Sequence, residues 1–182
     1  MTDNDISPVS LNTAGDKRSS IVLIGMPGAG KSSIGSKLAA KLGSVFIDTD
    51  DAIKASEKLS LQTIIDRRGY LHFRAIEERV LLSLELDKHL VATGGSAVYS
   101  SAGMQHLKSQ AIIVYLDVPN DELKIRITNM HNRGIACRKG ETLEDIHRER
   151  DPLYRRYADV TIDCSKQSAD HVVKEIATKV SP

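Results

Sequence analysis

The chain has 182 residues, 41% of them hydrophobic, which is enough for one domain with a substantial core. Its formal net charge of +1 gives no overall electrostatic reason to bind nucleic acid or an anionic membrane. The two cysteines are far apart, and neither a signal-peptide pattern nor an apolar run of about 18 residues occurs. We therefore expect a cytoplasmic, monomeric protein with reduced cysteines, acting without nucleic acid or membrane partners.

Strand-like and helical patterns alternate along most of the chain. Residues 1–18 are polar and are predicted to form a flexible tail, with a single domain over 19–182. The elements predicted next are, in chain order, strand 20–24, helix 31–42, strand 45–48, helices 61–68 and 71–87, strands 90–93 and 111–117, helices 121–130 and 142–154, strand 160–163 and helix 169–180. This alternation predicts an α/β fold whose parallel sheet has helices on both faces.

A phosphate-binding motif lies between the first strand and the first helix. Gly25, Gly30, Lys31 and Ser32 satisfy G-x-x-x-x-G-K-[ST], in which backbone N–H groups, the helix N-terminus and the lysine hold nucleotide phosphates. The candidate nucleotide-binding residues are Gly28, Ala29, Gly30, Lys31, Ser32 and Ser33. The motif alone is compatible with a GTPase, a motor, a regulatory ATP-binding protein or a small kinase. No NKxD sequence for reading guanine occurs, which argues against a GTPase.

Two acids follow apolar strands and are candidates for holding Mg²⁺ beside Ser32. Asp48 begins the sequence DTD soon after the phosphate-loop helix, whereas Asp117 precedes Val-Pro and is expected to be a turn or cap residue. We therefore assign Asp48 to the metal. At the same strand end Asp50 is expected to point to a different partner, an acceptor molecule.

The segment 124–156 has nine basic and five acidic residues, a local excess of nine minus five, or +4. Together with its Gly-containing stretch, this charge suits a lid that closes on phosphates. Alternatively, the basic residues of this segment lie on a solvated helix face and bind no phosphate. We favour this interpretation for Arg148, Arg155 and Arg156.

A similar ambiguity concerns Arg74 and the sequence TGGS at 93–96. Arg74 has Glu77 and Glu78 three and four residues later, so it could pair with them on a helix or bind an anion. The two glycines of TGGS could form an ordinary turn or let backbone approach a small ligand.

Six motifs in a fixed order resemble the shikimate kinase family from about Ser19 to the last helix: GMPGAGKSS, DTD, FRAIE, TGGS, NRGI and RDPLY. The resemblance implies a P-loop kinase fold, a three-layer sandwich with a five-stranded parallel sheet. It also implies an acceptor-binding region at about 49–77 and a lid at about 130–142. The implied activity is ATP- and Mg²⁺-dependent phosphorylation of the 3-hydroxyl of shikimate, a small molecule bearing a carboxylate and hydroxyls.

The resemblance also implies roles for single residues. Lys31, Asp50 and Arg133 would be catalytic, and Arg126 would lie against adenine. Glu77 would orient Arg74, and Ser32 and Asp48 would hold the metal. The implied acceptor-binding residues are Asp50, Arg74, Glu77, Gly94, Gly95 and Arg150.

Two departures from the family pattern lie beside these ligands. The usual R-P-L-L of the lid reads RGIA, where Gly134 predicts a looser lid. The third glycine of the turn is Ser96, which places a hydroxyl near the acceptor. Two alternatives stay open: a kinase of another small hydroxy acid such as homoserine or gluconate, and a non-catalytic nucleotide-binding module that regulates a partner protein.

Overall fold

The computed structural model describes residues 18–127 and 134–180. Its centre is a five-stranded sheet in the order β2-β3-β1-β4-β5, in which every neighbouring pair is parallel. The strands are β1 (Ser20–Ile24), β2 (Val45–Asp48), β3 (His89–Ala92), β4 (Ala111–Asp117) and β5 (Val160–Asp163). The predicted parallel sheet is confirmed, and all five predicted strands are present.

The helices of the described residues are α1 (Lys31–Leu42), α2 (Thr49–Glu57), α3 (Leu61–Arg68), α4 (Tyr70–Leu82), α5 (Ser101–Gln110), α6 (Asn120–Arg126), α7 (Leu143–Tyr157) and α8 (Ala169–Val180). A short 3₁₀ turn covers Ala97–Tyr99. Helix α1 packs against α8 and β3, whereas α5 packs against α4 and β4. Helices therefore cover both faces of the sheet, as the alternation predicted. Within these residues no helix is both long and apolar enough to cross a bilayer.

Most predicted helices have the expected bounds, because their end signals are local. Gly43 ends α1 in the left-handed conformation with φ 66°, and Thr142 and Asp145 form the capping box that starts α7. Helix α4 is shorter than predicted: it ends at Leu82, where the Ser83 hydroxyl donates to the Val80 carbonyl at 2.8 Å. Helix α6 ends at Arg126, and residues 128–130 of the predicted helix lie outside the described part.

The protein has one large hydrophobic core and one small one. The large core surrounds β1 and β4, whose apolar side chains are buried on both sides of the sheet. The small core consists of Ile53, Leu61, Ile64, Phe73, Ile76 and Ala136. Its residues come mainly from α2, α3 and α4, so the region 49–77 has packing of its own beside the carboxyl ends of the strands. The division into acceptor-binding region and lid stays a prediction.

Asp117 ends β4, but its side chain does not cap a turn as predicted. Its carboxylate accepts a hydrogen bond from Arg155 at 2.6 Å, and Arg155 also donates to Asp151 at 2.9 Å. These contacts attach α7 to the end of β4. The Arg155 side chain is 51% exposed, which agrees with the prediction that it belongs to a solvated helix face.

Gly134 lies against α3 in this structure, and the looser lid expected from this glycine stays a prediction. Its backbone is left-handed with φ +63°, and its N–H donates to Gln62 Oε1 at 3.1 Å. A Cβ atom here would lie only 2.5 Å from Leu61 Cβ. Proline would need a negative φ and would lose the N–H, so the usual lid sequence does not fit this backbone.

We expect Gly134→Ala to lower the free energy of unfolding by roughly 2 kcal/mol, because it combines positive-φ strain with overlap on Leu61. The matched control is Gly140→Ala, where φ is +88° but nothing lies within 4 Å of the added carbon. That variant should lose only about 1 kcal/mol. Urea unfolding measures the free energy of unfolding of both variants. Equal losses would show that the contact with α3 contributes nothing to the destabilisation by Gly134→Ala.

Candidate active site

A cavity of about 460 Å³ lies where the carboxyl ends of β1 and β3 meet. It runs from the phosphate loop to α7, with the TGGS turn and the segment 134–136 between them. Its lining includes the predicted site residues Gly28, Gly30, Lys31, Ser32, Ser33, Asp50, Gly94, Gly95 and Arg150. Residues from both halves of the sequence therefore face one space, with the phosphate loop at one end and a buried arginine at the other.

The phosphate loop presents donors to this cavity. Helix α1 begins at Lys31 with no side-chain cap on its N-terminus, and Gly30 precedes it with φ 94°. The Lys31 ammonium donates to the carbonyls of Gly25 and Met26, both at 2.8 Å. Burial is the main cause that lowers the pKa of Lys31 to about 8, with Asp50 acting in the opposite direction. A buried cation beside open helix N–H groups favours a phosphate ligand.

A second cavity of about 180 Å³ lies on the other side of the loop and shares Gly30 and Ser33 with the first. Ala29, Arg126, Cys164 and Val172 are among its lining residues. Arg126 also pairs with Glu122 at 2.9 Å. The structure therefore places Arg126 beside the loop, where the resemblance put an adenine contact, although that contact itself stays a prediction.

Ser32 and Asp48 meet as expected for a metal-binding pair: the Ser32 hydroxyl donates to Asp48 Oδ2 at 2.6 Å. Asp48 also caps α2, because its Oδ1 accepts from the Asp50 N–H at 2.9 Å. The strand thus ends at Asp48, and Asp50 lies in the first turn of a helix rather than on a strand end as predicted. Residues two apart on one strand share a face. Because the chain changes from strand to helix between Asp48 and Asp50, their two carboxylates contact different neighbours.

A second group of possible metal ligands within the described ranges is Asp117, His147 and Asp151. Arg155 already pairs with both carboxylates, at 2.6 and 2.9 Å. Arg155 therefore offsets one of the two negative charges of this group. Of the two acids that end apolar strands, Asp48 fits a cation beside the phosphate loop better than Asp117 does.

Asp50 and Glu77 approach each other across Gly94. A Cβ atom on Gly94 would overlap Glu77 Oε1 and lie 2.9 Å from Asp50 Oδ1, so only glycine fits there. The Ser96 hydroxyl donates to Glu77 Oε2 at 2.6 Å, whereas the buried Glu77 Oε1 has no partner among the described residues. Burial raises the pKa of Glu77 to about 7, and it also raises that of Asp50 with help from Asp48.

Two arginines lie near the far end of the cavity without a carboxylate partner in the described part of the chain. Arg150 is 1% exposed and donates to the Ala136 carbonyl at 2.6 Å. The guanidinium carbon of Arg74 lies 3.5 Å from the centre of the Tyr99 ring. The Nε atoms of both arginines are buried and have no hydrogen-bond partner within residues 18–127 and 134–180. No direct ion pair joins Arg74 to Glu77 or Glu78 among the described residues, although the charge of Arg74 acts on Glu77. The orientation of Arg74 by Glu77 stays a prediction.

Around this end, sequence reasoning missed the roles of Tyr99 and Tyr154 and the partner of the Ser96 hydroxyl. Tyr99 contacts both arginines, Ser96 holds Glu77, and the Tyr154 hydroxyl donates to the Gly95 carbonyl at 2.6 Å. Tyr154 belongs to the motif RDPLY, so the sequence pointed to this residue. Its hydrogen-bond partner, 59 residues away, could not be predicted from the sequence. Arg133 and the rest of 128–133 lie outside the described residues, so its predicted role is not addressed by the structure.

The buried Glu77 predicts a specific pH dependence of stability. Its pKa is raised from 4.5 to about 7, so between these values the folded protein holds a proton that the unfolded chain has lost. This contribution to the free energy of unfolding is present below pH 4.5 and falls by about 3 kcal/mol as pH rises through 7.

The matched control is Glu77→Gln, which cannot titrate. Urea unfolding of both proteins at pH 5 and pH 8 should show that the wild type loses stability relative to the variant as pH rises. If the two curves run parallel, Glu77 does not carry a raised pKa.

The phosphate loop lies at the carboxyl end of a parallel sheet, and buried cations lie across the cavity from it. This combination places the protein in the class of P-loop phosphotransferase folds. The family model for shikimate kinase matches residues 27–181. The chain belongs to the shikimate kinase family.

Individual relatives agree with this assignment. The chain is 34% identical over 167 residues to a shikimate kinase of Thiobacillus denitrificans, covering 90% of this chain and 91% of the relative. It is 36% identical over 159 residues to one from Aromatoleum aromaticum, covering 86% and 91%. The solved structure of an Acinetobacter baumannii shikimate kinase in complex with shikimate has a TM-score of 0.80 and 32% identity, covering 86% of this chain and 89% of that one.

Proposed function

We propose that this protein transfers the γ-phosphoryl group of ATP to the 3-hydroxyl of shikimate, producing shikimate 3-phosphate and ADP in aromatic amino acid biosynthesis. The observation that carries the proposal is the arrangement of one cavity: a phosphate loop at one end, and at the other Arg150 with its buried, unpartnered Nε. Arg74, with a buried unpartnered Nε of its own, lies beside the same turn.

The two arginines fit a carboxylate-bearing acceptor. A buried guanidinium without an anion has an unmet hydrogen-bonding requirement, and its planar fork matches a carboxylate. Arg74 and Arg150 both contact Tyr99, which places their side chains near one another. A single carboxylate bound there would satisfy donors that the protein itself leaves free.

The opposite end fits the phosphates of ATP. Lys31 gives a buried positive charge, and the uncapped N-terminus of α1 supplies backbone N–H donors. The Lys31 ammonium donates to the loop carbonyls of Gly25 and Met26. We propose that bound phosphates take over these bonds and that Arg126, at the neighbouring cavity, lies against adenine.

Shikimate kinases use ATP with Mg²⁺, and Ser32 and Asp48 are suited to hold the ion, since a hydroxyl and a carboxylate oxygen already meet there at 2.6 Å. When bound, Mg²⁺ neutralises charge on the phosphate oxygens.

Asp50 is the proposed residue at the reacting hydroxyl. In the transfer, the hydroxyl oxygen forms a bond to the γ-phosphorus while the bond from that phosphorus to the β–γ bridging oxygen breaks. The hydroxyl proton passes to the Asp50 carboxylate and then to solvent. The pKa of Asp50 is raised by burial and by Asp48, which makes this carboxylate a better proton acceptor.

Several predictions accompany this proposal. A lid at 130–142 with Arg133 on the transferred phosphate rests on the resemblance alone, because residues 128–133 lie outside the described part. Monomeric action, a cytoplasmic location and the absence of a nucleic-acid partner stay predictions made from the sequence.

The experiment is ADP release with ATP and Mg²⁺ in the presence of shikimate, homoserine, gluconate or no acceptor. We expect stimulation by shikimate alone. Stimulation by homoserine or gluconate instead would reassign the acceptor, and nucleotide binding without any stimulated turnover would favour the regulatory module.

A further inference from the structure

Resting on the proposed function, we propose that Tyr99 is a positioning residue whose ring holds the face of Arg74, so that the N–H edge of Arg74 faces the acceptor carboxylate, and whose hydroxyl lies beside Arg150. The ring contacts both guanidinium groups. The guanidinium carbon of Arg74 lies 3.5 Å from the ring centre, and that of Arg150 lies 5.3 Å from it. The Tyr99 hydroxyl is tied to α7 by a 2.8 Å hydrogen bond donated to Glu149 Oε1.

An aromatic ring holds an arginine differently from an acid. A carboxylate binds the N–H edge of the guanidinium, which is the edge a carboxylate substrate needs. A ring attracts the face of the group and leaves the edge free. The Nε atom of Arg74 has no hydrogen-bond partner among the described residues, which agrees with this arrangement. Arg150 differs, because it donates to the Ala136 carbonyl at 2.6 Å and also interacts with the Tyr99 hydroxyl.

One carboxylate oxygen of each acid that could capture Arg74 is bound by the segment that carries Tyr99. Ser96 donates to Glu77 Oε2 at 2.6 Å, and Ser100 donates to Glu78 Oε2 at 2.6 Å. Both acids lie one helical turn from Arg74, where pairing would otherwise be expected. Residues 96–100 therefore supply a ring for the arginines and hydroxyls for the competing carboxylates.

Tyr99 also stays neutral in this position. Burial is the main cause that raises its pKa above the ordinary value, so no phenolate forms near neutral pH to compete for the arginines. The ring can thus orient two cations without supplying a negative charge of its own.

The test compares Tyr99→Leu, which removes the ring, with Tyr99→Phe, which removes only the hydroxyl. We expect Tyr99→Leu to raise the KM for shikimate about 10-fold, leaving the KM for ATP within about twofold. Tyr99→Phe should remain within about threefold of the wild type for both substrates. Tyr99→Trp, which keeps an aromatic face, serves as a second ring-bearing variant if Tyr99→Leu does not fold.

A second readout separates positioning from general packing: the ratio of kcat/KM for shikimate to that for its neutral methyl ester. Tyr99→Leu should lower this ratio about 10-fold, because only the carboxylate uses the arginine edges. An unchanged ratio in Tyr99→Leu, or an equal loss in Tyr99→Phe, would overturn the inference. If the wild-type protein does not phosphorylate shikimate at all, the proposed function itself is overturned. The role of Tyr99 toward shikimate is then overturned as well.

Discussion

Lys31→Met is expected to lower kcat by roughly 10²–10³-fold while leaving the protein folded. Lys31 is the buried cation of the phosphate loop, and a donor aimed at developing charge typically contributes this much to the rate. Burial already opposes its charge, as its lowered pKa of about 8 shows. Methionine fills a similar volume without charge, so thermal unfolding should change little.

The matched control is Lys37→Met in the same helix. Lys37 is half exposed and pairs with Asp170 on α8, away from the cavity. Steady-state turnover of this variant should match the wild type. Full activity in Lys31→Met, or an equal loss in Lys37→Met, would remove Lys31 from the proposed mechanism.

Arg150→Lys should raise the KM for shikimate on the order of 100-fold, about 3 kcal/mol, with a smaller change in the KM for ATP. Lysine keeps the charge but lacks the planar fork and cannot stack on Tyr99 in the same way. Steady-state kinetics with each substrate varied in turn measures the effect. Loss of ATP affinity instead would place Arg150 at the nucleotide rather than at the acceptor.

The control for this variant is Arg148→Lys, two residues away on α7. Arg148 is 76% exposed in its side chain and pairs with Asp145 within the helix. Its replacement should leave both KM values unchanged. Thermal unfolding of the two variants separates a binding defect from a folding defect, which matters because Arg150 is nearly fully buried.

Much of the fold could be predicted because its signals are local. The apolar run of β4, the glycine after α1 and the capping box of α7 each specify an element without reference to the rest of the chain. Two helices were missed. Helix α5 contains Gly103 and little apolar periodicity, and α2 begins immediately after a strand, with Asp48 as both the end of β2 and the helix cap.

The site residues that belong to sequence motifs could be predicted. The contacts that form between distant parts of the chain could not. Ser32 and Asp48 were assigned to one metal and do meet at 2.6 Å. Helical spacing left two interpretations open for Arg74, pairing with Glu77 and Glu78 or binding an anion. The preference of Arg74 for Tyr99 depends on the turn after β3, 25 residues along the chain, and spacing within one helix cannot reveal it.

Gly134 shows the same limit in a different form. The sequence suggests freedom, since glycine has the widest choice of backbone conformations. In the structure Gly134 has a φ of +63°, and this backbone conformation brings it into contact with Leu61 and Gln62. A glycine that packs closely cannot be distinguished by sequence alone from one that provides mobility.

The most direct test of the proposed function is the stoichiometry and structure of the product. Wild-type protein is incubated with ATP, Mg²⁺ and shikimate, ADP is counted, and the position of the phosphoryl group is read by phosphorus–proton correlation in NMR spectra. We expect one shikimate 3-phosphate for each ADP, and no ADP without shikimate. ADP formed without a phosphate ester, or an ester at another oxygen, would contradict the proposed placement of Asp50 and the two arginines around the acceptor.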